Sequence, residues 1–243
     1  MRENRSFALT DPDDVAQLIR ENPWATIVSS TSDGLVASHY PVLLDESAEG
    51  LAIVSHVGRP DEELHEWGEH EVLVIIQGPH GYISPGWYDA KPAVPTWNFV
   101  TAHLYGVPEL LPADENLRVL ERLVDHFEDR MPHPRRMRGT LENSAYADRI
   151  SAGTVGFRLP VTRFTAKRKM SQNRPDETVA RIVGELEGSG PYASGELASE
   201  MRRANPGVFG AGGVGAAGAD VAAGAAGAAG AAGAPGSERG SAG

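Results

Sequence analysis

Short apolar runs, separated by glycine, proline and acidic residues, dominate the first two thirds of the chain and predict β-strands. ATIVSS, LVASHYPVLL, LAIVSHV and EVLVIIQG have the length and β-branched content of strands. The tetrapeptide TSDG, with Asp33 and Gly34, predicts a hairpin between the first two. In WNFVTAHLYG, polar and aromatic positions alternate with apolar ones, and TVGFRLPVTRFTAKRKM predicts a last strand pair or one bent strand.

Several segments have helical spacing instead. DPDDVAQLIREN begins with Asp11 as a capping residue and Pro12 at the first helical position. PADENLRVLERLVDHFEDR repeats leucines at the spacing of one helix face, and ENSAYADRI, PDETVARIVGELE and SGELASEMRRAN predict further helices. Because strands with a hairpin signal come first and helices are added around them, we predict a mainly β fold with α additions, an antiparallel barrel with peripheral helices.

The last part of the chain lacks the side chains that build a core. From Asn205 onward, 27 of 39 residues are glycine or alanine, including AAGAAGAAGAAG. Such a segment buries too little apolar surface to offset the entropy of ordering it. We therefore predict one folded domain over residues 1–204, which includes the C-terminal helices, and a disordered tail over residues 205–243.

Composition narrows the classes of function. The chain of 243 residues has no cysteine, which excludes disulfides, cysteine-zinc sites, iron–sulfur ligation and thiolate-ligated haem. Its formal net charge of −11 opposes binding to a phosphate backbone, so we expect no nucleic-acid partner. The N-terminus has no apolar signal region and no run is long enough to span a bilayer, which predicts a cytoplasmic protein without a membrane anchor.

The loop YISPGWYDAKPAVPTWN carries three large aromatic residues, Trp87, Tyr88 and Trp97. Either these rings cap the end of the barrel core, or they line the site of a planar ligand and stack on it. Long loops without repeats often carry function, which keeps the ligand interpretation open.

The stretch FTAKRKMSQNRP holds the densest positive charge in an acidic chain. Lys167, Lys169 and Arg174 stand beside serine, glutamine and asparagine, a combination that suits a phosphate or a carboxylate. The alternative is a solvated strand end followed by the start of a helix.

Histidines are the remaining candidates for chemistry. His65 and His70 lie in RPDEELHEWGEHEV, but their spacing does not place them on one helix face, and no pair in the chain has a zinc-type spacing. A single neutral imidazole is enough to bind haem iron. By sequence alone, however, a single histidine is more often solvated or hydrogen-bonded in the core than a ligand. No dinucleotide motif, P-loop or GxSxG motif is present, so standard kinases and hydrolases are not indicated.

Three blocks, GPHGYISPGWY, VPTWNFVTAHLYG and KMSQNRPDE, resemble the signature blocks of the PaiB-type family of FMN-binding negative transcriptional regulators, and SHYP at 38–41 is similar to that family's THLP block. The resemblance covers about residues 7–187. It implies an FMN-binding split β-barrel related to pyridoxamine-phosphate-oxidase-like flavoproteins. It also implies a homodimer with cofactor sites near the subunit interface.

One stretch departs from the family pattern. Where the family usually has an NPxW-type block, this chain reads RPDEELHEWGEHE, with a histidine at His65. In this respect the chain resembles the piperazate synthases, a branch that binds haem b and closes N5-hydroxy-L-ornithine to L-piperazate by forming an N–N bond. The resemblance implies His65 as the iron ligand, and we expect an acid among Glu62, Glu63 and Glu66 to hold its other N–H.

The same resemblance assigns roles to the loop and the cations. Trp87, Tyr88 and Trp97 are expected to line the cofactor, and Lys167, Lys169 or Arg174 to bind the carboxylate of a hydroxylated ornithine. The alternative is an FMN-binding regulator or a flavin-dependent oxidoreductase, which the retained SQNRP and VPTWN blocks favour.

Overall fold

The computed structural model describes residue 1, residues 4–88 and residues 92–210. Ten strands are formed: β1 Ala8–Leu9, β2 Trp24–Thr31, β3 Gly34–Pro41, β4 Leu43–Leu44, β5 Ala52–Gly58, β6 Val72–Ile83, β7 Thr96–Gly106, β8 Glu109–Leu110, β9 Thr154–Pro160 and β10 Arg163–Lys169. The α-helices are α1 Pro12–Glu21, α2 Asp61–Leu64, α3 Ala113–Glu128, α4 Leu141–Ser151, α5 Asp176–Glu187, α6 Gly195–Ala204 and α7 Pro206–Phe209. Short 3₁₀ turns cover Arg5–Phe7 and Pro85–Trp87.

The strands form two antiparallel sheets. One has six strands in the order β1-β10-β7-β6-β2-β3, and the other has four in the order β4-β5-β9-β8. The predicted hairpin is present, with Thr31 paired to Gly34 across the turn. The last apolar run is a strand pair, because β9 belongs to the small sheet and β10 to the large one. The predicted mainly β fold with added helices is confirmed.

The core lies between the inner faces of the sheets and the helices. Alternate positions of the central strands, such as Ile27, Val74, Ile76 and Leu104, are fully buried, as period-two patterning requires. Helix α1 begins as predicted, because the Asp11 side chain accepts a hydrogen bond from the Asp13 N–H at 2.9 Å.

Strand β6 runs further than its apolar pattern predicts. The pattern ends at Gly78, but the register shifts by a bulge between Gln77 and His80, and pairing with β7 continues to Ile83. The bulge accommodates Pro79, which has no N–H for the ladder. A Cβ on Gly78 would lie 2.7 Å from the Val100 side chain, so the bulge also needs a residue without one.

The outer face of the six-stranded sheet carries several large apolar and aromatic side chains among polar ones. By register and alternation, the large side chains are Trp24, Val28, Leu35, Leu73, Ile75, Trp97, Phe99 and Tyr105, and Thr26, Gln77, Thr101 and His103 lie between them. The large side chains are half-buried or exposed, and Leu35 reaches 81% exposure. Exposed apolar side chains grouped on one sheet face are typical of an interaction surface.

The ordered part of the chain continues past the predicted boundary at residue 204. Helix α7 follows at once, with Val208 and Phe209 packed against the main core. Asn205 anchors it by donating to the carbonyls of Met170 at 3.0 Å and Met201 at 2.8 Å. The rest of the predicted tail, residues 211–243, lies outside the described residues.

Candidate functional site

His65 directly follows the single-turn helix α2 and is fully buried. The next residue, Glu66, has a φ of 50° and Gly68 has a φ of 90°, so the chain coils tightly here. This coil turns both His65 and Trp67 into the core, where the Trp67 ring lies 4.7 Å from the Phe157 ring. The histidine is therefore part of the barrel interior and not of its solvated surface.

Both ring nitrogens of His65 contact serine hydroxyls. Nδ1 lies 2.7 Å from Ser29 Oγ, and Nε2 lies 3.0 Å from Ser38 Oγ. Ser38 Oγ donates to Asp61 Oδ2 at 2.8 Å, and the Tyr40 hydroxyl donates to the same oxygen at 2.8 Å. We call these five side chains the His65 relay. It leads from the buried imidazole to the half-buried Asp61 and Tyr40.

The hydrogen bonds of the relay indicate which ring nitrogen of His65 carries the proton. A carboxylate only accepts, so the Ser38 hydroxyl proton points to Asp61 and His65 Nε2–H donates to Ser38. In the neutral ring, Nδ1 then accepts from Ser29. Burial lowers the pKa of His65, and the charge of Asp61 opposes this only in part, which favours the neutral ring.

The acids near His65 do not hold its ring, contrary to expectation. Glu62 is buried and pairs with Arg59, while the Glu66 carboxylate accepts from the Ser32 backbone N–H at 3.0 Å. The hydroxyls of Ser29 and Ser38 contact the two ring nitrogens instead, and a neutral hydroxyl adds no charge beside the buried ring.

The predicted cations meet the predicted aromatic residues at one end of the six-stranded sheet. Lys169 Nζ donates to the Trp97 carbonyl at 2.9 Å, and the Arg174 guanidinium lies 4.9 Å from the Tyr88 ring centre. Burial, followed by the charges of Lys167 and Arg174, lowers the pKa of Lys169. We call these five residues the Lys169 cluster. Like charges held this close favour an anion among them.

The three loop aromatics divide between the two interpretations made from sequence. Trp87 and Tyr88 pack, partly buried, against the main core, as capping residues do. Trp97 is 55% exposed and stacks on His80 with ring centres 6.4 Å apart. Tyr82 and the half-exposed Tyr192, whose rings lie 4.9 Å apart, extend this surface.

The His65 relay and the Lys169 cluster lie far apart within one chain. Val28, next to Ser29, pairs with Leu73 of β6, whereas Trp97 pairs with Tyr82 of the same strand. Leu73 and Tyr82 are nine positions apart, which is on the order of 30 Å at about 3.3 Å per residue. A single copy of the chain does not bring His65 to the predicted aromatic and cationic residues.

Sequence reasoning did not identify the partners of His65. Ser38 and Tyr40 lie two residues apart in SHYP, and alternation along a strand does place them on one face. Asp61 stands in the acidic run PDEE, and nothing in that run distinguishes it from the neighbouring glutamates. Ser29 is a polar residue at an inward position of an otherwise apolar strand. This feature of the sequence is the one that indicates a hydrogen-bonded partner in the core.

Two features are absent from the described part of the chain. Among its residues, no group of three or more His, Asp or Glu side chains is arranged to hold a metal ion. In residues 4–88 and 92–210, no helix has the length and apolar character needed to cross a bilayer.

Comparison with known proteins supplies the family. Residues 1–163 match the family model described as "Putative FMN-binding domain". The chain is 30% identical over 183 residues to protease synthase and sporulation protein PAI 2 of Bacillus subtilis, covering 74% of this chain and 86% of that protein.

Solved structures share the fold. An FAD and haem binding protein of Mycobacterium smegmatis has a TM-score of 0.51 at 18% identity, over 71% of this chain and 78% of that one. The flavocytochrome Anf3 of Azotobacter vinelandii has a TM-score of 0.50 at 13% identity, over 82% and 77%. The predicted split-barrel class is confirmed. The chain belongs to the PaiB-like family of FMN-binding domains.

Proposed function

We propose that this protein is a flavin-binding oxidoreductase that holds its cofactor at the Lys169 cluster. The observation that carries the proposal is the crowding of Lys167, Lys169 and Arg174 beside the exposed ring of Trp97. FMN combines a phosphate dianion with a planar ring system, so cations and an aromatic face suit its two halves. A bound flavin would supply hydride or electron transfer.

The DNA-binding role of a repressor fits the chain less well. Its net charge of −11 opposes a phosphate backbone, and three cations at one sheet end neutralise few phosphates. We therefore keep the expectation that nucleic acid is not a partner and favour redox chemistry on a small molecule.

The functional form in this proposal is a homodimer joined through the outer face of the six-stranded sheet. Leu73 and Ile75 lie in the middle of that face, and the described part of the chain leaves both of them half-exposed. A second copy covers this face with the same surface, which is the usual geometry of a twofold dimer.

A second candidate is a haem-dependent L-piperazate synthase, and the buried imidazole of His65 is the observation that favours it. An iron ligand needs a neutral ring whose other nitrogen is held by a hydrogen bond. Ser29 is placed to accept from Nδ1–H after a change of tautomer, which frees Nε2 for iron. Ser38 now occupies that nitrogen, so its side chain has to turn away when haem binds.

The piperazate reaction is a dehydration with no net redox change. The α-amine nitrogen of N5-hydroxy-L-ornithine bonds to N5 and loses a proton, the N–O bond breaks, and the oxygen leaves as water. Haem iron would supply polarisation of the N–O group. Ser38, Tyr40 and Asp61 are the half-buried members of the relay, and the Asp61 carboxylate, which accepts from both hydroxyls, is the group that would take up the proton. One solved structure with this fold is described as an FAD and haem binding protein, and another is described as a flavocytochrome. These descriptions support either cofactor.

An absorption spectrum of the protein, purified from cells supplied with both riboflavin and a haem precursor, separates the two candidates. Flavin bands that disappear in Lys169→Glu and persist in His65→Ala support the flavin proposal. A Soret band that disappears in His65→Ala but persists in His133→Ala, an exposed control, supports the second candidate.

Substrate turnover then tests the reaction. Haem-loaded protein is incubated with N5-hydroxy-L-ornithine, and piperazate is followed by mass spectrometry. Protein that carries neither cofactor after reconstitution with each contradicts both candidates.

A further inference from the structure

A cavity of about 480 Å³ lies between helices α3 and α4 and the small sheet. Leu120 and Val124 of α3, Met137 of the connecting loop and Ile150 of α4 form its apolar walls, and His56 of β5 also lines it. Its size is within the range of small-molecule sites, and its lining is mostly apolar with a few polar groups. None of its lining residues belongs to the Lys169 cluster or the His65 relay.

Ion pairs brace the walls of this cavity. Arg136 Nη1 bonds Asp125 Oδ1 at 3.0 Å on α3, and its other terminal nitrogen pairs with Asp129. Arg138 pairs with Glu121 of α3 and, at 3.1 Å, with Asp148 of α4. The loop between the helices is thus fastened to both of them, which fixes the position of the residues that it contributes to the cavity.

His56 presents a hydrogen-bonding group at the cavity with no partner of its own. Its Nδ1 is buried without a hydrogen bond to the described residues, and burial lowers the pKa of the ring, so the imidazole is neutral. An unpaired buried polar atom is costly, and turning the ring so that Nδ1 faces a ligand in the cavity would remove that cost. The His56 ring centre lies 6.2 Å from that of Tyr40, so the cavity ends beside the His65 relay.

We infer that this cavity binds an apolar small molecule with a carboxylic acid group, of the size of a medium-chain fatty acid. Arg135 also lines the cavity, and its exposed guanidinium forms no ion pair within residues 4–88 and 92–210. A carboxylate pairs with this cation, and the apolar body fills the space along Leu120 and Ile150. The inference is independent of which cofactor the protein holds.

Binding is tested by fluorescence titration with 8-anilinonaphthalene-1-sulfonate, an apolar anion, followed by competition with decanoate. Leu120→Trp fills the cavity from a half-buried position, and Leu141→Trp adds the same ring to α4 at a residue that is 92% exposed and outside the lining. We expect at least a tenfold loss of affinity in Leu120→Trp and none in Leu141→Trp. Equal affinity of both variants and the unchanged protein overturns the site.

The polar anchors are tested separately. We expect His56→Phe and Arg135→Gln each to weaken decanoate binding several-fold, whereas Arg118→Gln, an exposed arginine of α3 outside the lining, leaves it unchanged. 1-Decanol, which has no charge, should compete at least tenfold more weakly than decanoate. If decanol competes as well as decanoate, or if the two anchor variants match Arg118→Gln, the carboxylate class is wrong. Thermal melting of each variant confirms that it is folded.

Discussion

The two ends of the six-stranded sheet show opposite ways of holding a chemical group. At one end, His65 is dry, neutral and satisfied by Ser29 and Ser38 within hydrogen-bonding distance. At the other end, Lys169 and its neighbours are partly exposed, crowded by like charge and open to an anion. The first arrangement holds a ring by hydrogen bonds that are already made, whereas the second places like charges together, which an anion bound among them would stabilise. We call the first the preorganised end of the sheet and the second the receptive end.

The largest expected effect concerns the proposed dimer, which would join two copies through the outer face that carries the receptive end. Leu73→Glu places a carboxylate at the centre of the outer sheet face, where dimerisation would bury it unpaired. We expect a dimer dissociation constant at least about 100-fold higher, equal to about 2.8 kcal/mol. Sedimentation equilibrium measures it. Arg118→Glu, far from this face, is the control, and an unmodified protein that is monomeric at all concentrations contradicts the proposed dimer.

The receptive end is tested by reversing one of its charges. Lys169→Glu replaces a cation with an anion between Lys167 and Arg174, so the phosphate of FMN meets repulsion there. We expect FMN affinity to fall about 100-fold, or about 2.8 kcal/mol. Quenching of flavin fluorescence gives the dissociation constant. The exposed His133→Ala serves for comparison, and equal affinity of Lys169→Glu and the unchanged protein would place the phosphate elsewhere.

The preorganised end is tested by removing the hydroxyl of Ser29, which contacts Nδ1 of the His65 ring. Ser29→Ala leaves His65 Nδ1 buried and unpaired, which should lower the free energy of unfolding by about 1–3 kcal/mol. Urea denaturation measures the loss. The adjacent Ser30 is exposed, so Ser30→Ala should change stability by less than about 0.5 kcal/mol. Similar losses in both variants would show that the hydroxyl of Ser29 does not support the ring.

The smallest expected effect is a dependence of stability on pH. Burial lowers the pKa of His65 and His56 in the folded protein below the value of about 6.5 for an unfolded chain. Between the folded-state pKa and about 6.5 the unfolded chain binds more protons, so stability falls as the pH drops through that window. Denaturation from about pH 7.5 to about pH 5.5 should show this fall, and a shallower one in His65→Gln. A slope that His65→Gln leaves unchanged excludes this histidine as its source.

Much of the fold is readable from sequence because its signals are local. Asp11 and Pro12 mark the start of α1, and Asp33 and Gly34 mark the hairpin, since capping and turn geometry involve neighbouring residues only. The sequence pattern does not predict the true end of β6, because a proline such as Pro79 usually ends a strand. Here a bulge at Gly78 and Pro79 lets the pairing with β7 continue. Helix α7 was missed because a glycine-rich composition hides Val208 and Phe209, which pack on a core formed by distant residues.

The residues of the two candidate sites likewise differ in how far the sequence predicts them. Charge density along one strand end pointed to Lys167, Lys169 and Arg174, and the structure does bring them together with Trp97 and Tyr88. The surroundings of His65 were not readable, since Ser29, Ser38 and Asp61 are contributed by two strands and a helix.

The sequence by itself determined which segments become strands and helices, where positive charge collects, and that a histidine stands in the stretch that departs from its family. Period-two patterning, capping residues and charge act over a few residues, so they survive in the one-dimensional chain. Only the tertiary structure decided that His65 is buried between two serines and that the Lys169 cluster lies at the far end of the sheet. Burial and long-range hydrogen bonds depend on which segments pack together, and that choice belongs to the whole fold.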